Sequence, residues 1–346
     1  MKHRLIPDAR KNRKRSAASF VPALAALAVL AIALVSASAA QAGPCEKSAR
    51  LARKACGFDV RDDLYETRAI CAHLSRAGER AECLDEADEE REENFEECEA
   101  VFDSRMEFCA ASGERYYDPA FEKSMFTNTF DNANPYFPLA VGNQWTYEGG
   151  DETTIVSVLA ETKRIAKVDC IVVNDVVSED GRLIEDTDDW YAQAHNGDVY
   201  YCGENAKDYE YFRGDNPEVA ELVEIDGSFK HGVNRAKAWI LMFAAPQVGT
   251  VYRQEFSLGD AEDGAEVLST TYRHGENAAL DRRVPKDLAD LFCAGDCLVT
   301  TDFNLLEPGG VELKYYAPGV GLFLEVGGRD VTRLVECNVD PRCDEL

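Results

Sequence analysis

The chain has 346 residues, 45% of them hydrophobic and 29% charged, with 64 Asp and Glu against 37 Lys and Arg. That length accommodates two domains, one of them with a sizeable core. A formal charge of −27 disfavours nucleic acid and anionic lipid as partners, and leaves cations, basic partners or a solvated acidic coat.

The first element is a basic region, Lys2, Arg4 and "RKNRKR", followed by an apolar run from Phe20 to Val35 and by Ala40-Gln41-Ala42. That order is a secretory signal with an A-x-A cleavage site, predicted over residues 1–42. The alternative is an uncleaved anchor, but the run is 16 residues long and carries Pro22, against roughly 20 residues for a spanning helix. Pro44 is a poor fit to the small residue required before a lipidated cysteine, so the mature protein is expected to be exported and soluble, with no stable membrane span. Cleavage removes seven Lys/Arg and one Asp and leaves 30 basic and 63 acidic side chains, a formal charge of −33. All 12 cysteines lie beyond the signal, and an even number in an exported chain reads as disulfides.

Residues 43–115 read as a helical hairpin. Cys45, Cys56, Cys71, Cys83, Cys98 and Cys109 are placed symmetrically about Ala77. Spacings of 11 and 15 return to within roughly 20° and 60° of the starting direction, keeping each arm's cysteines on one broad face. An 11-residue step rises about 16 Å, too far for a bond within one arm. Folding at Ala77-Gly78 therefore predicts Cys45–Cys109, Cys56–Cys98 and Cys71–Cys83. A metal site is disfavoured, because free thiolates are improbable in an oxidising compartment. The apolar seam is thin, with Leu64, Ile70 and Leu74 facing Leu84, Phe95, Phe102 and Phe108. The arm with seven basic residues lies along the arm with fourteen acidic ones. Gly57, with Asp59 two residues on at a cap position, predicts a kink in the first helix.

A linker over 116–134 leads to an antiparallel β domain over 135–337 and a tail over 338–346. β-branched and aromatic runs such as "VDCIVVNDVV", "DVYYCGE", "CLVTTDFNLL" and "VELKYYAPG" alternate with "EDG", "HNGD" and "EPGG", the rhythm of a curved meander resembling half a barrel. Helical interruptions are expected near "RAKAWILMFAA" and "VPKDLADLF". The fold class is thus α+β. Asn196-Gly197, read as a two-residue turn, pairs Tyr191 with Cys202, and Asp180-Gly181 read likewise sets Cys170 opposite Tyr191. Cys170 and Cys202 are then two strand spacings apart, about 9.6 Å, beyond the roughly 7 Å that a disulfide tolerates. They are predicted not to be bonded to each other. Cys337 and Cys343 are expected to close a local loop, while Cys293 and Cys297 either pair together or reach Cys170 and Cys202.

"PYFPLAVGNQWTYEG" (135–149), "DTDDWYAQAHNGDVYYCGE" (186–204) and "LEPGGVELKYYAPGVGLFLEV" (306–326) resemble segments of a group of uncharacterised exported bacterial β proteins. Those proteins enter their sheet by a Pro/aromatic segment and close it with a Tyr-Ala-Pro-Gly-Val-Gly turn. In this chain Pro318 sets φ, and Gly319 and Gly321 permit the reversal. More distantly, the meander is similar in architecture to lipoprotein-carrier-like curved sheets, which implies an acyl chain on a concave face. A fold alone carries no function.

Trp190, Tyr191, Tyr200, Tyr201, Tyr209, Tyr211 and Phe212 cluster in 23 residues. Trp190, Tyr191, Tyr200, Tyr201 and Tyr211 are the candidate ligand-binding wall; the competing interpretation is a packed core with an outer face. By the expected register Tyr191 and Tyr200 share one face, Trp190 and Tyr201 the other. "SEDG", "EDTDD" and "GDAEDG" offer carboxylates for calcium but match no EF-hand and read as solvated turns. Catalytic motifs such as G-x-S-x-G, H-E-x-x-H and a phosphate loop are missing from the sequence. His195, His231 and His274 read as surface residues, and Asp188 and Asp189 point to opposite faces of a strand. No catalytic residue, metal or cofactor is assigned. The expectation is a non-catalytic protein binding a ligand or partner on the concave face, with an acyl-chain carrier and a secreted hydrolase as alternatives.

Overall fold

The computed structural model describes residues 42–127, 133–328 and 330–346; all but the last residue of the expected signal peptide lies outside them. Helix α1 (Pro44–Cys71) and helix α2 (Ala77–Ser112) run antiparallel and carry the three expected rungs. Their Cα–Cα distances are 5.7 Å for Cys45–Cys109, 5.9 Å for Cys56–Cys98 and 5.7 Å for Cys71–Cys83. The reversal occupies residues 72–76, so Ala77 and Gly78 begin α2 instead of forming the turn. The expected kink is absent. α1 runs straight through Gly57, which is buried where the Phe95 ring packs; an added Cβ would meet that ring at 3.4 Å. The glycine thus serves helix–helix approach beside the Cys56–Cys98 rung, and tertiary packing overrides its low helix propensity. Val60, Leu64, Ala87, Phe102 and Phe108 fill the seam, whereas Ile70 and Leu84 are exposed. Each of those two is next in sequence to a rung cysteine, and one residue along a helix is a 100° turn away from it.

The rest is β-structure: β1 (Gln144–Gly149), β2 (Glu152–Ile165), β3 (Val168–Glu179), β4 (Arg182–Gln193) and β5 (Val199–Asn205). There follow β6 (Asp208–Glu210), β7 (Glu221–Glu224), β8 (Lys237–Met242), β9 (Val251–Arg253), β10 (Glu255–Phe256) and β11 (Asp263–Tyr272). After the short helix α3 (Lys286–Phe292) come β12 (Cys297–Asn304), β13 (Val311–Ala317), β14 (Gly321–Gly327) and β15 (Asp330–Cys337). Among the described residues the main path is β10-β8-β5-β4-β3-β2-β1-β15-β14-β13-β12-β11-β9, with β6 and β7 off β4. Every pairing is antiparallel.

Two features curl this sheet further than the expected half barrel. β1 pairs with β15, so the two ends of the domain lie side by side in its middle. β9 and β10 are separated only by Gln254 yet belong to opposite edges, β9 pairing with β11 and β10 with β8. The segment 251–256 therefore draws the edges together, and the Tyr252 hydroxyl donates across them to the Leu241 carbonyl at 3.2 Å. The result is a nearly closed antiparallel barrel.

The segment "RAKAWILMFAA", expected to be helical, contains strand β8. Ala238, Ile240 and Met242 are buried while their alternate neighbours are less so, a period of two that a sheet requires. α3 forms where "VPKDLADLF" predicts it.

The Asn196-Gly197 turn also differs. Gly197 has φ of +91° but Asn196 has no positive φ, as a two-residue turn of this type would need. A three-residue loop forms instead, with Gly197 N–H donating to the Ala194 carbonyl (2.9 Å) and Ala194 N–H to that of Asp198 (2.8 Å). Tyr191 then faces Tyr201, not Cys202. A further register shift in β4–β5 leaves Cys202 as the extra residue of a bulge, where Gly203 lets the strand pass close to Phe229 and Lys230.

That bulge, together with a register shift in β3–β4 that sets Ile171 and not Cys170 opposite Tyr191, overturns the prediction for Cys170 and Cys202, which are disulfide-bonded with Cα atoms 6.8 Å apart. A bulge bends and twists its strand, and small Ala192 on the intervening strand lies in the same buried cluster. Cys293–Cys297 and Cys337–Cys343 complete six disulfides. No described cysteine is free.

Part of the expected linker packs as a second layer on the barrel's outside. Phe121 and Phe126 cover Trp190, Tyr200 and the Cys170–Cys202 region. The hairpin meets the barrel where Arg105 of α2 donates to both carboxylate oxygens of buried Glu262, at 3.0 and 2.5 Å. Phe108 packs there against Phe303.

Candidate functional site

Inside the barrel lies a partly open cavity of about 530 Å³. Its base is apolar and comes from the two segments that the sequence singles out by motif. Phe137, Pro138 and Leu139 of the entry segment lie against Gly321 and Leu322, which follow the Pro318-Gly319-Val320 turn. Trp145 Nε1 donates to the Val320 carbonyl at 2.8 Å, and the Tyr147 hydroxyl to that of Leu322 at 3.0 Å. Gly319 and Gly321 have φ of +81° and +93°, as the reversal requires.

Farther along the strands the wall turns polar. Alternation sets Val173, Asp175 and Val177 of β3 and Asp189 and Tyr191 of β4 toward the interior. Tyr316 and Lys314 of β13 do the same, with Asp302, Glu325, Glu255, Asp263, Gln254 and Glu185 also on the wall. Asp189 accepts hydrogen bonds from the Tyr201 hydroxyl (2.5 Å) and from Tyr191. The two tyrosine rings stack with centroids 4.9 Å apart. Lys314 lies 3.5 Å from Glu325, 3.7 Å from Glu312 and 3.8 Å from Asp302. Asp302 further accepts from the Thr300 hydroxyl (2.5 Å) and from Gln254 Nε2 (3.1 Å).

Other carboxyls are not so provided for. Glu255 Oε2, Asp175 Oδ1 and Asp263 Oδ1 are buried without a hydrogen-bond partner, and Glu255 is only 4% exposed. Such orphaned groups are rare in a filled core. Their chemistry follows from low polarity and crowding. Burial, reinforced by the charge of Asp189, pushes the Asp175 carboxyl up to about 8. Burial also raises Asp189 to about 6 against the opposing hydrogen bonds of Tyr201 and Tyr191, and raises Asp263 to about 6 against the field of Lys314. Glu255 and Glu204 are held well above the usual carboxylate range, first by burial and then by Asp263 and Asp189 respectively. Lys314 is held well above the usual amine value: burial opposes its charge, but Glu325 and Asp302 outweigh burial.

Of the five aromatic residues proposed as a wall, Tyr191 and Tyr201 line the cavity. Trp190 and Tyr200 face outward under Phe121 and Phe126. The expected grouping, Tyr191 with Tyr200 and Trp190 with Tyr201, is therefore exchanged, and the one-residue shift at the 195–197 loop is the cause. Tyr211 stays outside the cavity, stacked under the Arg182 guanidinium at 4.2 Å. Asp188 and Asp189 point opposite ways as expected: Asp188 accepts from Asn174 on the outside. His231 is no simple surface residue; it is half-buried, stacked on Phe121 at 4.3 Å, and its Nδ1 accepts from the Ala238 N–H.

The turns expected to hold solvated carboxylates contain functional groups that the sequence does not announce. From "EDTDD", Glu185 and Asp189 enter the cavity; from "GDAEDG", Asp263 enters and Glu262 is buried against Arg105. A signal existed in β13 and β3. Glu312-Lys314-Tyr316 and Val173-Asp175-Val177 each place polar groups at alternate positions of an otherwise apolar strand. Among the described residues no group of three or more His, Cys, Asp or Glu is arranged to hold a metal ion.

A second concavity, about 560 Å³, lies on the hairpin beside Arg50, Arg53, Lys54, Arg61 and Phe58. It is an open groove. Arg50 and Arg53 pair with Glu46 and Glu99, and Arg61 donates to the Gly57 carbonyl, so these cations are already engaged. Compared with protein-family models, with curated proteins and with solved structures, the chain finds no match.

Proposed function

We propose that this is an exported, non-catalytic binding protein whose ligand sits inside the barrel, on its concave face. The observation that carries this reading is the partly open cavity with a buried carboxyl oxygen on Glu255 that has no protein partner. A volume of about 530 Å³ is in the range of small-molecule sites, and a wall that leaves acceptors unsatisfied is complementary to a molecule that supplies donors. Six disulfides favour an oxidising compartment. No described helix is long and apolar enough to cross a membrane.

An acyl-chain carrier fits less well, because a hydrocarbon tail would leave Asp175, Glu255 and Asp263 desolvated and unpaired. The hydrolase alternative predicts converging carboxylates or a histidine; the wall carries clustered carboxyls with raised pKa values, which keeps this reading open, but no histidine, serine or cysteine lines it among the described residues. The test is native mass spectrometry of mature protein purified from its own host under mild conditions, beside a Val177→Trp variant that fills the cavity. A small molecule retained by the wild type and absent from a folded Val177→Trp protein supports the reading; the same adducts on both proteins, or none on either, count against it.

A further inference from the structure

We infer that the ligand is an organic cation, a molecule whose ammonium or guanidinium head is held among Glu255, Asp263, Asp175 and Asp189. This rests on the binding-protein reading above and narrows it to a chemical class.

Charge balance comes first. Eight carboxyl side chains line the cavity, Glu152, Asp175, Glu185, Asp189, Glu255, Asp263, Asp302 and Glu325, with Lys314 as their one cation among the described residues. Lys314 is committed to Glu325, Glu312 and Asp302. Arg253, the nearest arginine in sequence, sits instead over the Phe108 and Phe256 rings at 4.4 and 4.8 Å, toward the hairpin. No described cation lies within ion-pair distance of Glu255, Asp175, Asp189 or Asp263. The comparison with the outer face of the same strand is direct: Asp186 there is paired with Lys207 at 2.8 Å and accepts from Asn174.

Hydrogen-bond valence points the same way. Of the five buried side-chain atoms without a hydrogen-bond partner among the described residues, the three on the cavity wall, Glu255 Oε2, Asp175 Oδ1 and Asp263 Oδ1, are carboxyl oxygens, whereas Arg253 Nη1 and Tyr117 Oη lie off the wall. The Tyr201 and Tyr191 hydroxyls, the nearby donors, are spent on Asp189. A complementary partner brings several N–H or O–H donors and no negative charge, and the excess of carboxyls over Lys314 favours an ammonium or guanidinium group among such partners. The apolar base formed by Leu139, Trp145 and Leu322 accepts a carbon body. A bare metal ion fits less well, since hard cations need about six to eight oxygens converging at 2.0–2.6 Å and the carboxyls do not converge in that way. The raised carboxyls are consistent with an unfilled demand for positive charge.

The experiment is isothermal titration of the full mature protein at pH 8 with agmatine and spermidine, and with hexaethylene glycol and decanoate as neutral and anionic probes. The proteins are wild type, Glu255→Gln, Asp263→Asn, the cavity-filling Val177→Trp, and Glu92→Gln on the exposed face of α2. At least one amine is expected to bind the wild type and Glu92→Gln equally. It should bind Glu255→Gln or Asp263→Asn tenfold or more weakly, and Val177→Trp not at all. Amine binding unchanged by Glu255→Gln, Asp263→Asn and Val177→Trp is association with the acidic coat and overturns the inference. Glycol or decanoate binding that Val177→Trp abolishes, with no amine binding, overturns the cation while leaving the binding-protein reading intact. Failure of every probe, with no ligand retained by protein from its host, removes both. Glu255→Gln and Asp263→Asn only neutralise a buried group, so a circular dichroism melt at or above wild type separates lost binding from lost fold.

Discussion

The hairpin and the barrel use the same acidic composition in opposite ways. On α2 the carboxylates face water, the seam beneath them is thin, and disulfides supply what burial does not. In the barrel, carboxyls are turned inward, where burial disfavours their charge. The hairpin is a scaffold whose charges are incidental to its folding. On the binding-protein reading proposed above, a ligand would offset these unfavourable charges, which is the compromise expected of a binding site.

The comparison is broken most severely at the rungs. Replacing Cys56 and Cys98 by serine opens a cross-link of sequence separation 42, worth about 4 kcal/mol on the chain-entropy scale. A thermal melt followed at 222 nm should show the helical signal lost first, with the near-ultraviolet signal of the barrel aromatics persisting. Simultaneous loss of both would mean that the two regions fold as one cooperative unit. The joint between them comes next. Arg105→Ala strands Glu262, a fully buried carboxylate whose remaining contacts are the Gly259 N–H at 2.8 Å and Arg253 at 3.8 Å. The expected loss is about 3 kcal/mol by denaturant titration.

Smaller still is the anchor at the cavity base. Trp145→Phe removes the bond to the Val320 carbonyl and should cost about 1–2 kcal/mol. By contrast, Ile70→Ser on the exposed face of α1 should change stability by less than about 0.5 kcal/mol.

The inward charges also give stability a pH dependence of definite sign. Asp175, Asp189 and Asp263 have folded values of about 8, 6 and 6, against about 3.9 unfolded. Between pH 4 and 8 the folded state thus binds more protons than the unfolded state, so stability is highest at the acid end and falls as pH rises to 8. His231, lowered by burial, acts in the other direction below about 6.5, but it is one group against three. Chemical denaturation at pH 5 and pH 8 should therefore favour pH 5, and Asp175→Asn should flatten the slope between pH 6 and 8. A wild-type slope of opposite sign would contradict the assignment of these groups to the interior.

Much of the hairpin was legible because helices have a fixed period. Six symmetric cysteines and a 100° step suffice to name all three rungs, while the place of the turn and the local details at Gly57, Ile70 and Leu84 escape. In the barrel most strands were legible, β8 excepted, as was the turn at Pro318-Gly319, but the register was not. A single residue in the 195–197 loop exchanges the faces of Tyr200 and Tyr201, and one bulge residue, Cys202, permits a disulfide that a regular ladder would forbid. Because strand faces alternate with period two, a local error of one residue inverts every side chain beyond it. Site residues were missed for a related reason. Asp263 and Glu255 occur in sequence as ordinary polar residues near turns, and only closure of the sheet through 251–256 converts them into an interior wall.

The most direct test of the central claim is a carboxyl carbon NMR titration of Asp175 in the folded mature protein, with and without saturating agmatine. The account predicts a midpoint near 8 in the free protein that falls when the cation enters. A midpoint near the ordinary carboxylate value of about 4, unaltered by agmatine, would contradict it.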